Sequence, residues 1–389
     1  MDSELEAVDA AWSEIEAAIG SLGAHIRADA LNADPLRRYD AYKAVLSMLA
    51  ESYVNQVCYD RKYPESLPTF GALFNFAAPA PDFAYHLIHL EPGQSWSVRG
   101  RRGDAALIDV QQLTGWFGQG RPVTLANELF DGQAMEVDGD GNFQFILAPQ
   151  ARPGPWWKLD ARATTIFIRE YFTDYATQGR TSTFHVDRLE PETGNDVVDC
   201  DAAQRLNAVA QALGAYRGFL AMPATFAGIG PNRFQDIGFG DAAMKDQRYF
   251  QARFEVGRTE ALVGTWRVPD AFRYWSIALY DDAYRMLDAG RHRVNLNHAL
   301  AQVGADGVFH FVISHEDPGI ANWLDAQAHG DGIVMMRTKG ASDFELPSLQ
   351  RVALDELASM LPGDVPRATA QERRHDLDIR RRHFQRRDR

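Results

Sequence analysis

Hydrophobic positions near the amino terminus follow a helical period. Leu5, Val8, Trp12, Ile15, Ala18, Ile19 and Leu22 fall three and four residues apart, which predicts an amphipathic helix over residues 3–22. Asp34-Pro35 opens a second helix, with Ala41, Val45, Leu46, Leu49 and Tyr53 on one side. The two helices are expected to pair with each other or to cover a sheet edge.

From Thr69 to Leu189 the period shortens. Runs rich in aromatic and β-branched residues recur at 83–89, 95–99, 105–110, 143–148, 164–171 and 181–189. Turn clusters such as Pro92-Gly93 and Pro153-Gly154-Pro155 separate them. Many short strands at this spacing predict a sandwich or barrel. Asp138 to Asn142 carries calcium-type residues without the loop length or closing Glu of an EF-hand, so a hairpin turn is the better reading. Residues 201–222 turn helical again and connect to a Gly- and Pro-rich stretch that ends near residue 246. Strands return at 249–256 and 261–266, and a last helix is expected over about 349–360. No repeat of solenoid type is visible.

The most informative stretch runs from Phe272 to Gly340. Three strand-like runs, Tyr274–Tyr280, Val308–Ser314 and Gly332–Arg337, are bounded by Asp, Gly and Pro turn residues. Between the last two sit Asp317-Pro318-Gly319 and Asn322-Trp323-Leu324. With Tyr274-Trp275-Ser276, Tyr280-Asp281, Asp306-Gly307 and Arg337, this pattern resembles the family catalogued as domain of unknown function 1214, over roughly residues 250–340. Upstream, Pro81-Asp82-Phe83-Ala84-Tyr85, Trp96, Val98 and Gly100-Arg101-Arg102-Gly103 are similar to the region that accompanies this domain in longer members. The resemblance implies a β-sandwich of jelly-roll type and a bacterial source, and implies no agreed chemistry.

Composition narrows the partners. The chain has 389 residues, enough for two domains, and a formal net charge of −13. That field repels phosphate and argues against nucleic-acid or anionic-membrane binding. The tail is the exception: residues 371–389 hold eight Arg against four Asp/Glu, a net of +4, which leaves −17 on residues 1–370. It is expected to be a surface helix or disordered. The two cysteines, Cys58 and Cys200, make no CxxC and are most simply buried, reduced thiols. With neither a signal peptide nor a membrane-length apolar run, a cytoplasmic location is expected.

No chemical motif stands out. A Gly-x-Ser-x-Gly elbow, a Walker loop and a His-x-His pair are all lacking. His310 and His315 are five apart, and His86 and His89 three apart, so neither pair shares a strand face. His185 and Asp187 do share one, most simply as the polar face of an exposed strand, and no metal ligands are assigned. The cofactor is likewise unassigned. What remains is an aromatic-rich pocket with a few polar groups. Asp82, Tyr85 and His86 are candidates for proton transfer, with Asp82 and His86 four apart and Tyr85 pointing the other way if all lie on one strand. Tyr274, Trp275, Tyr280, Asn322, Trp323 and Arg337 are candidates for holding a substrate.

The expected fold is therefore mainly β. A helical segment (1–66) precedes one β-sandwich (67–198), a helical connector with a Gly/Pro-rich loop (199–246), a second jelly-roll-like sandwich (247–346), and a terminal helix with a basic tail (347–389). The expected function is an enzyme of small-molecule catabolism, of hydrolase or lyase type, acting on a hydrophobic or aromatic substrate and able to form a homo-oligomer. The alternatives are a non-catalytic ligand- or carbohydrate-binding sandwich, and a scaffold working through the paired amino-terminal helices and the basic tail.

Overall fold

The computed structural model describes residues 2–132, 136–190, 202–221, 229–238, 240–341 and 345–387; Cys200 lies outside them. The chain divides into two compact units whose segments interleave. Unit 1 comprises residues 1–76, 83–171 and 180–219, and unit 2 comprises 77–82, 172–179 and 220–389. The amino-terminal helices thus share a unit with the first set of strands, and the terminal helix belongs with the second.

In unit 1, α1 (Asp2–Ala28) packs beside α2 (Pro35–Gln56). Asp34 caps α2, its Oδ1 accepting from the backbone N–H groups of Leu36 and Arg37 at 2.9 and 3.0 Å, and Pro35 occupies the first helical position. Nine strands follow: β1 (Leu67–Pro68), β2 (Phe83–His89), β3 (Trp96–Arg101), β4 (Leu107–Leu113), β5 (Thr124–Leu129), β6 (Asn142–Ala148), β7 (Trp156–Lys158), β8 (Thr165–Tyr171) and β9 (Thr183–Arg188). They form two sheets, ordered β1-β2-β8-β4-β5 and β7-β6-β3-β9. Strands β6 and β9 alternate, with Phe143, Phe145, Phe184 and Val186 buried and their neighbours facing water. The Asp138–Asn142 segment is the expected hairpin turn, Asp138 Oδ1 accepting from the N–H groups of Asp140 and Asn142. Helix α3 (Ala202–Ala221) buries Val209, Ala212, Leu213 and Tyr216.

Unit 2 contains β10 (Gln235–Asp236), β11 (Gln247–Glu255), β12 (Glu260–Arg267), β13 (Tyr274–Tyr280), β14 (Asn295–Asn297), β15 (Val308–Ser314), β16 (Trp323–Asp325), β17 (Asp331–Lys339) and β18 (Ser348–Ala353). Its sheets are ordered β10-β11-β17-β13-β14 and β16-β15-β12-β18. Adding nine to each strand number of unit 1 reproduces this order in full, including the parallel pairs β6–β7 and β15–β16. The chain therefore builds one nine-strand sandwich plan twice, a repeat the residues do not display.

The core of unit 2 lies between its sheets, where Phe250, Phe254, Trp275, Ile277 and Leu279 meet Leu262, Trp266, Phe309 and Phe311. Gly264 on β12 sits under the ring of Phe311, its register partner on β15. A Cβ there would come within 2.1–2.4 Å of the ring, so Gly264→Ala should destabilise the protein by about 1–3 kcal/mol through forced repacking. An unchanged urea midpoint would show that the ring moves aside freely.

Residues 349–360 differ from expectation. Ser348–Ala353 is an edge strand paired to β12, and only Leu357–Met360 is helical (α4). The basic tail is neither disordered nor merely superficial. Helix α5 (Ala370–Arg387) opens with a capping box: Glu372 Oε2 accepts from the Thr369 N–H at 2.7 Å, and Thr369 Oγ accepts from the Glu372 N–H at 3.2 Å. It docks through Arg373, Arg380 and Arg387, spaced seven apart and all buried. Their guanidiniums donate to the carbonyl oxygens of Ile320, Asn295 and Pro81. Arginine fits this role because its five donors point outward in a fixed plane and its stem packs as hydrocarbon. Cys58 is exposed rather than buried.

Candidate functional site

Each unit holds a buried carboxylate gripped by four side-chain donors. In unit 1, Glu51 Oε1 accepts from Asn55 Nδ2, Thr69 Oγ1 and Trp116 Nε1, and Oε2 accepts from the phenol of Tyr216. In unit 2, Asp82 Oδ1 accepts from Tyr175 and from the amides of Asn295 and Asn297, and Oδ2 accepts from Tyr274. Burial and the neighbouring carboxylate push the phenols of Tyr175, Tyr216 and Tyr274 well above the usual tyrosine range, so all three stay protonated donors. Burial also raises the carboxyl of Glu51. Both carboxylates are inaccessible to solvent and fully engaged. Groups so held fix the fold, and their burial keeps a substrate from reaching them.

This placement separates the three proton-transfer candidates. Asp82 lies in the turn before β2, not on it, and belongs to unit 2; the strand-parity link to His86 therefore does not apply. Tyr85 is buried in unit 1 between the rings of Phe70 and Phe167, centroids 5.9 and 5.8 Å away. His86 faces the opposite side of β2.

The substrate-holding candidates also divide. Tyr274 is committed to Asp82. Trp275 packs on Trp266 and Phe309 in the core. Arg337 donates to the Tyr280 phenol at 2.7 Å and to the Ala78 carbonyl. Asn322 staples a loop, accepting from the Gln302 N–H and donating to the carbonyls of Gln302 and His310. Trp323 donates to Ser314 Oγ at 3.0 Å under the guanidinium of Arg373. Each is buried, and all but Trp275, whose indole N–H meets no acceptor among the described residues, satisfy a partner in the fold.

His86 is the candidate that opens to solvent. Its Nε2 lies 3.1 Å from Glu170 Oε1 on β8. The β2–β8 register explains this: Glu170 faces Ala84 directly, so His86, two residues on, reaches it diagonally on the same face. Glu170 is fully buried and is itself held by Ser182, whose N–H reaches both carboxylate oxygens at 3.0 Å and whose Oγ donates to Oε2 at 2.6 Å. With Nε2 donating to Glu170, Nδ1 keeps the lone pair. The His86 side chain lines an open groove of about 960 Å³ with Tyr63, Glu65, Arg99, Thr183 and His185. A second groove, of about 1150 Å³, adjoins it and shares Arg99, Thr183 and His185. His185 and Asp187 are exposed on β9, as expected for a polar strand face, and Asp187 pairs with Arg99 at 2.7 Å. Among the described residues no group of three or more His, Cys, Asp or Glu side chains is placed to hold a metal ion.

Glu170 and Ser182 were missed at the sequence level. The available signal was the pair Arg169-Glu170 inside the otherwise apolar run TTIFIREYF. A charge within a buried strand must find a partner. Nothing in the sequence said which.

Comparison with known proteins bears on the fold. Residues 251–343 match the family model described as Protein of unknown function (DUF1214), a span within a few residues of that expected. The crystal structure of an uncharacterized protein from Burkholderia cenocepacia superposes with a TM-score of 0.80 at 21% identity, covering 89% of this chain and 97% of that one. The VPA0106 protein from Vibrio parahaemolyticus superposes with a TM-score of 0.47 at 13% identity, covering 80% and 98%. No curated protein matches the chain by sequence. The Burkholderia likeness establishes a shared fold. No helix among the described residues is long and apolar enough to cross a membrane.

Proposed function

We propose that this chain, whose residues 251–343 match the DUF1214 family, is an enzyme of small-molecule catabolism that works at the groove of unit 1 with His86 as its proton-transfer group. The observation that carries the reading is a solvent-facing imidazole oriented by a buried carboxylate. A fixed carboxylate holds the ring in one tautomer and one orientation, which suits general base catalysis. The fold itself does not need this pair. The corresponding strands of unit 2, β11 and β17, complete the same plan with no histidine.

Ser182 serves the carboxylate and is buried, so it is not the nucleophile. The reaction types that fit are hydrolysis by a water that His86 deprotonates, or elimination begun by proton abstraction. The polar lining favours a substrate with several hydroxyl or charged groups over the purely hydrophobic one expected from the aromatic content. We place the protein in the cytoplasm of a bacterium, on the acidic composition and the family resemblance. The second reading, a carbohydrate-binding sandwich, draws on the breadth of the two adjoining grooves and the exposed Tyr63 beside them.

The test is turnover across a panel of chromogenic esters, amides and glycosides, with product alkenes followed by ultraviolet absorbance. His86→Ala and Glu170→Gln should each reduce kcat by about 10²–10⁴-fold on any substrate found. A His86→Ala protein that turns over at the wild-type rate defeats the enzyme reading at this groove. Saturable sugar binding without turnover would favour the binding reading.

A further inference from the structure

The amino-terminal helices carry apolar side chains that their own unit does not cover. On α1 these are Leu5, Trp12 and Ile19; on α2 they are Tyr39, Leu46 and Tyr53. All six are between 37% and 64% exposed, although other positions on the same helices, such as Ile15, Leu22, Ala44 and Met48, are buried against the unit. Both sets repeat every seven residues. That interval brings a side chain back to nearly the same line along a helix, so each set forms a narrow seam of about 21 Å. Single exposed apolar residues are ordinary, but a line of three at heptad spacing on each of two neighbouring helices is a surface on which another helix can lie.

We propose that this helical hairpin is the contact surface for a second copy of the same chain, with α1 of each protomer lying against α2 of the other. Two observations select this occupant. The first is charge. The first sixteen residues of α1 include Asp2, Glu4, Glu6, Asp9, Glu14 and Glu16 and no base. The opening turns of α2 bring Arg37, Arg38 and Lys43, and the one acid among them, Asp40, is buried and paired with Lys43. An isologous two-fold arrangement places the acidic helix on the basic one twice over, whereas α1 on α1 would set like charges together. The second is area. Aromatic side chains bury about 150–250 Å² each and aliphatic ones somewhat less, so six roughly half-exposed large residues offer about 450–750 Å², which flanking stems bring towards the roughly 800 Å² per partner of a stable interface. The seam also carries two tyrosines and a tryptophan, the residue types that dominate interface energetics.

The experiment is sedimentation equilibrium on the full chain, comparing wild type with the double variant Trp12→Glu/Leu46→Glu. Wild type should give twice the chain mass of 43.5 kDa. The variant should be monomeric, its dissociation constant raised by at least about 100-fold. Both replaced side chains face solvent within the protomer, so far-ultraviolet circular dichroism and the thermal midpoint should be unchanged, and this separates loss of contact from loss of fold. Dissociation of the wild type should rise with salt, since acidic and basic helices face one another. A wild type that is monomeric at its highest soluble concentration overturns the proposal, as does a dimer that survives the double variant. Flotation of monomeric wild type with phosphatidylcholine vesicles, lost in the variant, would assign the seam to a lipid surface instead and equally overturn it.

Discussion

Replacing Asp82 by alanine is expected to destabilise unit 2 by about 3–5 kcal/mol, a large share of the roughly 5–15 kcal/mol that holds a typical domain together. Four donors lose their acceptor at once. The phenols of Tyr175 and Tyr274 and the amides of Asn295 and Asn297 converge on this carboxylate from three separate stretches of chain. Each buried donor left without a partner costs about 1–3 kcal/mol, and water cannot substitute at a site with no solvent exposure. Arg380 adds to the loss, because its guanidinium donates to Asn295 Oδ1 at 2.7 Å and so depends on that amide staying in place. Urea unfolding followed by circular dichroism should show an early transition in the variant, while Asp82→Asn, which keeps one acceptor oxygen, should lose less. A wild-type midpoint for Asp82→Ala would mean that the four donors find other partners.

Acid should weaken both units, beginning near pH 6.5. His89 in unit 1 and His383 in unit 2 are each held down to about 3, first by burial and then by the charges of Arg61 and Arg387 respectively. The bonding fits neutral rings: His89 Nε2 meets Asn55 Oδ1 at 3.2 Å and His383 Nδ1 meets the Gln178 carbonyl at 3.0 Å, while the other nitrogen of each has no partner. A histidine protonates near 6.5 in an unfolded chain, so below that pH the unfolded state takes up protons that the folded state refuses. Their contribution is therefore complete above pH 6.5 and is lost as pH falls towards 3. Between pH 6.5 and 5 each group should remove about 2 kcal/mol. Glu51 acts in the opposite sense. Its raised carboxyl favours the fold most fully below the ordinary glutamate value, a contribution lost as pH rises through the folded one. Thermal midpoints across pH 4.5–8 for wild type, His89→Gln and His383→Gln would check this, since each variant should show a shallower acid slope. Parallel slopes in all three would remove these rings as the cause.

The strands were legible because their alternation or length is imposed by a face that must leave water. Tyr274–Tyr280 and Val308–Ser314 lie where the pattern put them. Residues 349–360 misled because SLQRVALDELASM satisfies both periods, and pairing with β12 decided for the strand. The basic tail misled for another reason: arginine reads as a solvent-loving residue, yet here its donors match the carbonyls of two loops and of β14. Of the candidate site, His86 was legible as an imidazole on a strand. Its partner was not, since Glu170 is 84 residues away and only the β2–β8 register brings the two together. The remaining aromatics were recognisable as a class, but whether a ring closes a core or opens a pocket depends on packing that spacing does not encode.

The arginines of α5 also constrain how the protein comes into being. Arg387 binds the carbonyl of Pro81, a residue 306 positions earlier, and Arg380 secures the amide that helps to hold Asp82. During synthesis these early segments leave the ribosome long before their partners are made. Asp82 meets its four donors once Tyr274, Asn295 and Asn297 have emerged, but the Pro81 carbonyl waits for its donor until translation has passed Arg387. A premature stop between β18 and α5 would leave every described strand intact and still release a protein whose second sandwich lacks this fastening.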